Sequence, residues 1–214
     1  MNDLTLFANK YETDKGTTCY GCHGFTEFYE NHIKIFKGKH PKILEIGVAY
    51  GNSLRMWNEY FEGECEIYGL DIDIKFSSQD NIHVIYADQS SREDWEWIIN
   101  NIGCDFDIII DDGSHVPEHQ ALSLYMGHKL LKPNGIYIIE DLHTNLYEQK
   151  DGYPLHSLIY GENMCYLTNE ENDELTKKID NFEIFVNHNE KVGDIFGNKS
   201  ITSVIKFKPW NNLL

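Results

Sequence analysis

Strands and helices alternate along most of this chain, and this alternation restricts the fold more than any other feature of the sequence. The segment 106–110 (FDIII) has the length and the apolar composition of a buried strand, and the segment 116–131 has helical spacing with Pro117 in its first turn. Alternating strands and helices form βαβ units, whose strands lie parallel and whose crossovers are right-handed. The pattern predicts strands over 42–48, 66–72, 82–87, 106–110 and 135–139, with helices over 27–36, 52–61, 91–101 and 116–131.

The two ends of the chain differ from this pattern. Segments 182–186 and 201–207 have strand character with no room for a helix between them, so we expect an antiparallel pair at the sheet edge. The predicted fold class is α/β, a doubly wound and mostly parallel seven-stranded sheet with an antiparallel C-terminal strand pair. Residues 1–40 are expected to form a small N-terminal helical cap segment, and residues 41–214 a cofactor-binding domain. Residues 141–175 are the least regular stretch and are expected to include a mobile loop.

The chain has 214 residues and a formal net charge of −17, and this acidity excludes several classes of partner. Phosphate binding relies on clustered Lys and Arg, so neither nucleic acid nor an anionic membrane surface is expected to bind. All of the net charge lies beyond residue 40, because the first 40 residues hold five Lys and five acidic residues.

No apolar run approaches the roughly 20 residues of a membrane span, and residues 1–15 lack the apolar core of a signal peptide. With five Cys in a chain of this length, we expect a cytoplasmic protein with free thiols.

A glycine turn follows the first predicted strand, at the position where α/β folds bind nucleotide-like cofactors. In the pattern E-x-G-x-x-x-G, Gly47 and Gly51 let the chain turn tightly and bring the backbone against a ligand, while Glu45 favours a cationic ligand end over a pyrophosphate. Asp71 ends the second strand, where an acid suits the hydroxyls of a ribose, and Asp88 ends the third, where it can meet an adenine amino group. These residues predict an S-adenosylmethionine site; the alternative is an ordinary strand–helix turn with incidental acids.

Acidic residues also end the fourth and fifth strands, which are neighbours in a doubly wound sheet. The sequence is IDDGSH over 110–115 and IEDLH over 139–143. Carboxylates that converge at one sheet edge need a cation, since each raises the pKa of the next, and oxygen-rich sites suit Mg²⁺, Mn²⁺ or Ca²⁺. His115 is the predicted general base, while strand alternation can turn Asp111 to the other face. The structural alternative is helix capping at one strand end and a solvated loop at the other. The predicted metal ligands are Asp112, Glu140 and Asp141.

Three motifs resemble a known enzyme family. The stretches IIDDGSH over 109–115 and IEDLHT over 139–144 are similar to class I S-adenosylmethionine-dependent methyltransferases, and more narrowly to the metal-dependent sugar O-methyltransferases of macrolide tailoring, the macrocin and mycinamicin type. YETDKG over 11–16, followed by HGF over 23–25, is similar to the N-terminal segment of that group. The resemblance covers about residues 9–207. It implies a Rossmann-like methyltransferase fold and the same magnesium ligands and base that the acidic cluster itself indicates.

The predicted function is that of an S-adenosylmethionine-dependent O-methyltransferase that uses Mg²⁺ or Mn²⁺. Its acceptor is expected to be a sugar hydroxyl in a glycan, a nucleotide sugar or a glycosylated natural product, with a catechol as an alternative because vicinal oxygens chelate Mg²⁺ similarly. Tyr11, Asp14 and Lys15 are expected to close over the cofactor or the acceptor. Two alternatives come from other classes: a nicotinamide-dependent oxidoreductase on the same fold, and a non-catalytic cofactor- or metal-binding module. The short chain and the pair Cys19 and Cys22 depart from the group and leave the oligomeric state open, a homo-oligomer included.

Overall fold

A seven-stranded mixed sheet forms the centre of the structure. The computed structural model describes residues 2–19, 21–146, 153–188 and 199–208. The strands are β1 (Lys42–Ile46), β2 (Glu66–Asp71), β3 (Ile82–Tyr86), β4 (Phe106–Asp111), β5 (Leu131–Ile139), β6 (Ile179–His188) and β7 (Lys199–Phe207). They lie in the order β3-β2-β1-β4-β5-β7-β6, in which β1 to β5 are parallel and β7 runs antiparallel to both of its neighbours. The predicted fold class, including the antiparallel C-terminal pair, is confirmed.

The helices agree with the predicted alternation between strands. Ser91 caps the helix that follows β3, since its side chain accepts a hydrogen bond from the Asp94 amide. Within the described ranges, no helix combines the length and the apolar composition needed to cross a membrane. The α-helices of the described residues are α1 (Asp3–Lys10), α2 (Thr26–Ile33), α3 (Asn52–Tyr60), α4 (Arg92–Asn101), α5 (Pro117–Gly127), α6 (Pro154–Tyr160) and α7 (Asn169–Lys178).

The helix predicted over 116–131 is shorter than expected. α5 ends at Gly127, a 3₁₀ turn follows over His128–Leu130, and β5 begins at once at Leu131. Residues 132–135, whose Pro and Gly predict a helix stop, therefore lie within a strand. The pairing of β5 with β4 shifts in register between Phe106 and Ile108, and this irregularity absorbs the additional residues.

The stretch 141–175 contains more regular structure than expected. A 3₁₀ helix spans Leu142–Leu146, and α6 and α7 follow it. α7 begins with a capping box, in which Thr168 and Glu171 satisfy each other's backbone amides. This Thr-x-x-Glu signal is present in the sequence and was missed. The mobile loop predicted within this stretch is not tested where it falls on 147–152, which lie outside the described residues.

Apolar side chains cover both faces of the sheet, and the first 40 residues contribute to one of these two cores. Leu4, Phe25 and Tyr29 pack with Ile43 of β1 and Trp57 of α3, and all five are buried. The N-terminal helices therefore lie on the same sheet face as α3. Because alternate strand residues point to opposite faces, this face also receives the side chains two residues further along each strand. The division of the chain at residue 40 stays a prediction.

The cysteines correct one expectation. Cys19 and Cys22 form a disulfide rather than two free thiols. The two cysteines are three residues apart in sequence, so the disulfide closes a small loop. The number of cysteines alone does not indicate such a local pairing. Cys65 and Cys104 carry thiols, as expected.

Candidate active site

A cavity of about 620 Å³ opens at the carboxyl edge of the parallel strands. Ligands of open α/β sheets bind in this crevice because the loops that follow the strands converge there. The structure brings most of the predicted site residues to its wall. Lining residues include Gly47, Asp71, Asp88, Asp112 and His115 from the strand ends, with Asp14 and Lys15 from the N-terminal segment.

The two glycines of the turn after β1 are required by its geometry. Gly47 has φ +89°, and a Cβ built there would lie 2.0 Å from the carbonyl oxygen of Asp112. Gly51 has φ +73° and precedes α3, and a Cβ on it would lie 2.5 Å from the ring of Phe76. Side chains at either position would be strained by the backbone and would collide with a neighbour. The turn therefore brings the end of β1 into contact with the end of β4.

Asp71 holds this turn in place. Its Oδ2 accepts hydrogen bonds from the amides of Val48 (2.8 Å) and Ala49 (2.9 Å), and its Oδ1 accepts one from the amide of Asp73 (2.8 Å). Burial alone would raise the pKa of Asp71, but these three amide donors lower it below its ordinary value. Asp71 is therefore an ionised group that organises the wall of the cavity.

Asp88 is also engaged locally. Its Oδ1 accepts hydrogen bonds from the amide (2.8 Å) and the hydroxyl (2.7 Å) of Ser90, which lower the pKa of Asp88. Both predicted nucleoside acids thus lie on the cavity wall as anions held by backbone amides. Their proposed contacts with a ribose and an adenine remain predictions.

Lys15 lies at the centre of the acidic cluster. Its Nζ contacts Asp112 Oδ2 and lies 3.2 Å from Glu140 Oε1 and 3.5 Å from Glu45 Oε1. The Lys15 side chain is only 1% exposed. Burial would lower the pKa of Lys15, but the carboxylates of Asp112, Glu140 and Glu45 outweigh that effect and raise it well above its ordinary value. Lys15 is thus a buried ammonium shared by three carboxylates from three neighbouring strands.

Glu45 does not reach the cavity, where we expect it to face a cationic ligand. It is fully buried, and its Oε2 accepts a hydrogen bond from Trp57 Nε1 at 3.0 Å while its Oε1 faces Lys15. Burial raises the pKa of Glu45 to about 7, although Lys15 opposes the shift. The physical reason is strand alternation, which directs Glu45 with Ile43 toward the face covered by α3. An effect of Glu45 on a ligand would therefore pass through Lys15.

Tyr11 also lies away from the cavity. Its hydroxyl donates to Glu59 on α3, and its ring borders a second, smaller pocket with Arg55 and Asn58. Tyr11 is therefore not among the residues that line the main cavity, because the end of α1 packs on α3, and its contact with a cofactor stays a prediction. Asp14 does line the main cavity, and its side chain is 52% exposed there.

Asp112, His115 and Asp141 present one ligand atom each within 4.8 Å of one another. His115 Nε2 lies 3.4 Å from Asp141 Oδ2. In the part of the chain that the structure describes, the buried oxygens Asp141 Oδ1 and Glu140 Oε2 accept no hydrogen bond. Buried carboxylate oxygens without donors are costly unless a cation satisfies them, and oxygen donors suit Mg²⁺ and Mn²⁺. The donor set therefore fits a divalent cation. The predicted ligand Glu140 is connected to this cluster by Lys15, whose ammonium contacts both Glu140 and Asp112.

Two histidines that are not among the predicted catalytic, cofactor or metal residues lie around Asp141 together with His115. His23 Nε2 lies 3.7 Å and His143 Nδ1 lies 3.6 Å from Asp141 Oδ1. The other ring nitrogen of His23 pairs with Ser200 Oγ at 2.6 Å, which fixes the orientation of the ring. Both histidines belong to the motifs quoted above, but sequence spacing alone does not place residue 23 beside residue 141.

Gln89 was also missed, and it joins two parts of the cavity wall. Its Nε2 donates to Asp111 Oδ1 and to Ser123 Oγ, both at 3.1 Å, and its Oε1 accepts a hydrogen bond from the Ser114 amide at 2.6 Å. Asp111 faces away from Asp112, as strand alternation suggests, and burial raises its pKa to about 7. The position of Gln89 directly after Asp88 is the signal that could have pointed to it.

Comparison with solved structures defines the class of fold. The whole chain superimposes on 56% of the methyltransferase MycE of the mycinamycin biosynthetic pathway, a structure in complex with Mg, SAH and mycinamycin VI, with a TM-score of 0.75 and 26% identity. The chain thus has the Rossmann-like methyltransferase fold. No family model matches the sequence.

The curated relatives to which this chain is similar are O-methyltransferases of natural products. The chain is 35% identical over 145 residues to the 8-demethyl-8-alpha-L-rhamnosyl tetracenomycin-C 2'-O-methyltransferase of Streptomyces olivaceus, over 64% of this chain and 38% of the relative. It is 36% identical over 151 residues to the mycinamicin VI 2''-O-methyltransferase of Micromonospora griseorubida, over 66% of this chain and 36% of the relative. The chain is a homologue of these enzymes, and the resemblance identified in the sequence is confirmed. The matched segment spans less than two fifths of the length of each of these two relatives.

Proposed function

We propose that this chain is an S-adenosylmethionine-dependent, Mg²⁺-dependent O-methyltransferase that acts on a sugar hydroxyl. One observation carries the proposal: Asp112 and His115 belong both to the wall of the nucleoside-sized cavity and to the cluster suited to a divalent cation. A methyl donor in the cavity and an acceptor at the cluster would then meet at these two residues. The names of two relatives, which are O-methyltransferases of a rhamnosyl tetracenomycin and of an olivosyl oleandolide, support a sugar in the acceptor.

The cavity wall suits a cofactor without phosphates. Asp14, Asp71, Asp88 and Asp112 line it, and Lys15, the one lysine or arginine among its described lining residues, is surrounded by carboxylates. An acidic wall attracts the sulfonium and ammonium groups of S-adenosylmethionine and repels the pyrophosphate of a dinucleotide. This charge distribution also supports a methyltransferase over a nicotinamide-dependent oxidoreductase.

Asp112 and Asp141, with Glu140, would hold Mg²⁺ or Mn²⁺ at the edge of this cavity. Bound there, the metal supplies a Lewis acid that lowers the pKa of an acceptor hydroxyl, while the cofactor supplies the methyl group. Asp141 has φ +54°, a backbone conformation that directs its carboxylate back toward Asp112 and His115. These residues would therefore orient the acceptor oxygen toward the cavity.

His115 would accept the proton of the acceptor hydroxyl at Nε2, the ring nitrogen that lies beside Asp141. Its other nitrogen, Nδ1, is buried and makes no hydrogen bond among the described residues, so it is not the atom that faces an acceptor. The backbone at His115 is fixed at φ +57°, and its carbonyl accepts a hydrogen bond from Thr144 Oγ1 at 2.8 Å. Much of the rate would come from holding base, oxygen and methyl group in line.

Two measurements test this function. We expect the protein to bind S-adenosylhomocysteine in calorimetry and to methylate a sugar hydroxyl of a glycoside panel with Mg²⁺ but not with EDTA. His115→Asn, which tolerates the positive φ, should lower kcat by about a hundredfold or more while the Kd of S-adenosylhomocysteine stays unchanged. His83→Asn, at a histidine whose side chain is 42% exposed, is the matched control and should leave both values unchanged. Turnover that survives chelation, or a protein that does not bind S-adenosylhomocysteine, would contradict the proposal.

A further inference from the structure

Lys15 is delivered to the acidic cluster by a backbone that is fixed on both sides. Its amide donates to Thr13 Oγ1 at 3.2 Å, and its carbonyl accepts hydrogen bonds from the amides of Phe25 and Thr26 at the start of α2. α2 in turn packs on the sheet face that carries Glu45. Only the flexible side chain of Lys15 can therefore move, so its ammonium is a tethered cation with a short range.

The three carboxylates around this ammonium have different surroundings. Glu45 is fully buried and has a second partner in Trp57. Asp112 and Glu140, in contrast, are predicted metal ligands, and the Oε2 atom of Glu140 accepts no hydrogen bond within the described ranges. The ammonium thus lies between one carboxylate that is bonded to a buried side chain and two carboxylates that are expected to bind a metal.

We propose that Lys15 is an internal competitor of the divalent metal for Asp112 and Glu140, with Glu45 as the alternative partner of its ammonium. The inference rests on the proposed function only in taking these two carboxylates as metal ligands. An ammonium and a divalent cation that share carboxylates repel each other strongly in a buried site. A bound metal would repel the ammonium toward Glu45. The free energy needed for this displacement would lower the affinity for the metal.

The competition has a consequence for selectivity. A cation that binds weakly to carboxylates, such as Na⁺ or K⁺, cannot displace a tethered ammonium, whereas Mg²⁺ or Mn²⁺ can. Glu45, which the sequence places in the cofactor site, would act instead as the counter-ion that receives Lys15. Its burial and its hydrogen bond to Trp57 keep it in place to do so.

The test is a charge-neutral double variant, Lys15→Met with Glu45→Gln, which removes one positive and one negative charge from the same buried pair. The probe is Mn²⁺ alone, with the free ion followed by its electron paramagnetic resonance signal. We expect the Kd for Mn²⁺ to fall about tenfold or more, since the competitor is gone while the net local charge is unchanged. The matched control is Lys10→Met with Glu59→Gln, an ion pair of the same kind whose lysine is 56% exposed, and it should change the Kd less than about twofold.

Lys15→Met alone leaves Glu45 and Glu140 without their cation and can fail to fold, so the double variant decides the outcome. Circular dichroism and binding of S-adenosylhomocysteine verify that it is folded. A Kd for Mn²⁺ that is unchanged or higher in the folded double variant would overturn the proposal, as would a failure of both proteins to bind Mn²⁺. Absence of methyl transfer would instead contradict the proposed function, and it would leave the comparison of Mn²⁺ affinities intact.

Discussion

The carboxylate of Asp71 accepts a hydrogen bond of 2.8 Å from the amide of Val48, so the acid that ends β2 holds the turn that follows β1. Both residues line the cavity. The acid is therefore part of the backbone architecture of the site as well as a candidate ligand for a ribose.

Replacement of Asp71 tests this double role. Asp71→Ala removes the acceptor of three backbone amides, and we expect the Kd of S-adenosylhomocysteine to rise about 10- to 100-fold, which corresponds to about 1.4–3 kcal/mol. Asp71→Asn should lie between the wild type and Asp71→Ala, because one amide oxygen replaces two carboxylate oxygens. Calorimetry provides the measurement. Asp73→Ala keeps its backbone amide and removes only a side chain that is 68% exposed, so it should behave like the wild type.

Gly47 controls the contact between the ends of β1 and β4. Gly47→Ala would place a Cβ 2.0 Å from the Asp112 carbonyl at φ +89°, and we expect a loss of about 3 kcal/mol or more in the free energy of unfolding. Urea denaturation measures this loss. Gly38→Ala is the control, because Gly38 also has a positive φ (+70°) but no atom within 4 Å of the added Cβ. Equal destabilisation by both variants would show that the close approach to Asp112 is unimportant.

Gln89 should act as a positioning residue for the loop that carries Asp112 and His115. Gln89→Leu leaves the Ser114 amide without its side-chain acceptor, and we expect kcat to fall about 10- to 100-fold because small displacements of reacting groups are costly. The Kd for Mn²⁺ should rise as well, a change that a loss of general stability would not produce in a folded variant. Ser123→Ala removes another hydrogen bond of Gln89 but leaves the loop contact, so it should change kcat less than about threefold.

His128 should make the protein sensitive to acid. Burial lowers the pKa of His128 to about 4, below its ordinary value of 6.5, so the unfolded chain binds the proton first as the pH falls. The stability that depends on neutral His128 is complete above about pH 6.5 and is lost progressively down to about pH 4, by at most about 3 kcal/mol. Urea titrations at several pH values should show a shallower loss in His128→Gln, while His83→Gln at an exposed position should follow the wild type. An unchanged pH profile in His128→Gln would contradict this assignment.

The order of elements and the chemistry at the strand ends could be predicted from the sequence. Strands such as 106–110 were recognised because buried parallel strands are continuous apolar runs, and the antiparallel pair because too few residues separate its strands for a crossover. Residues that end a strand or directly follow it, such as Asp71 and Asp112, have positions set by strand direction. Their place at one edge of the sheet therefore follows from the sequence.

The direction of each side chain and the contacts of the N-terminal segment were decided by the tertiary structure. Strand alternation turns Glu45 away from the cavity, and the packing of α1 on α3 carries Tyr11 with it. The N-terminal segment as a whole lies on the same sheet face as Glu45, which brings Lys15 into the acidic cluster from a distance of 97 residues in sequence to Asp112. A local sequence pattern indicates which residues lie on the same face of a strand or a helix. The contact of the N-terminal segment with three strand ends depends instead on how apolar surfaces pack in the folded chain. The sequence by itself therefore determined the fold class and the acids of the candidate site, while only the folded chain decided that a lysine lies among them.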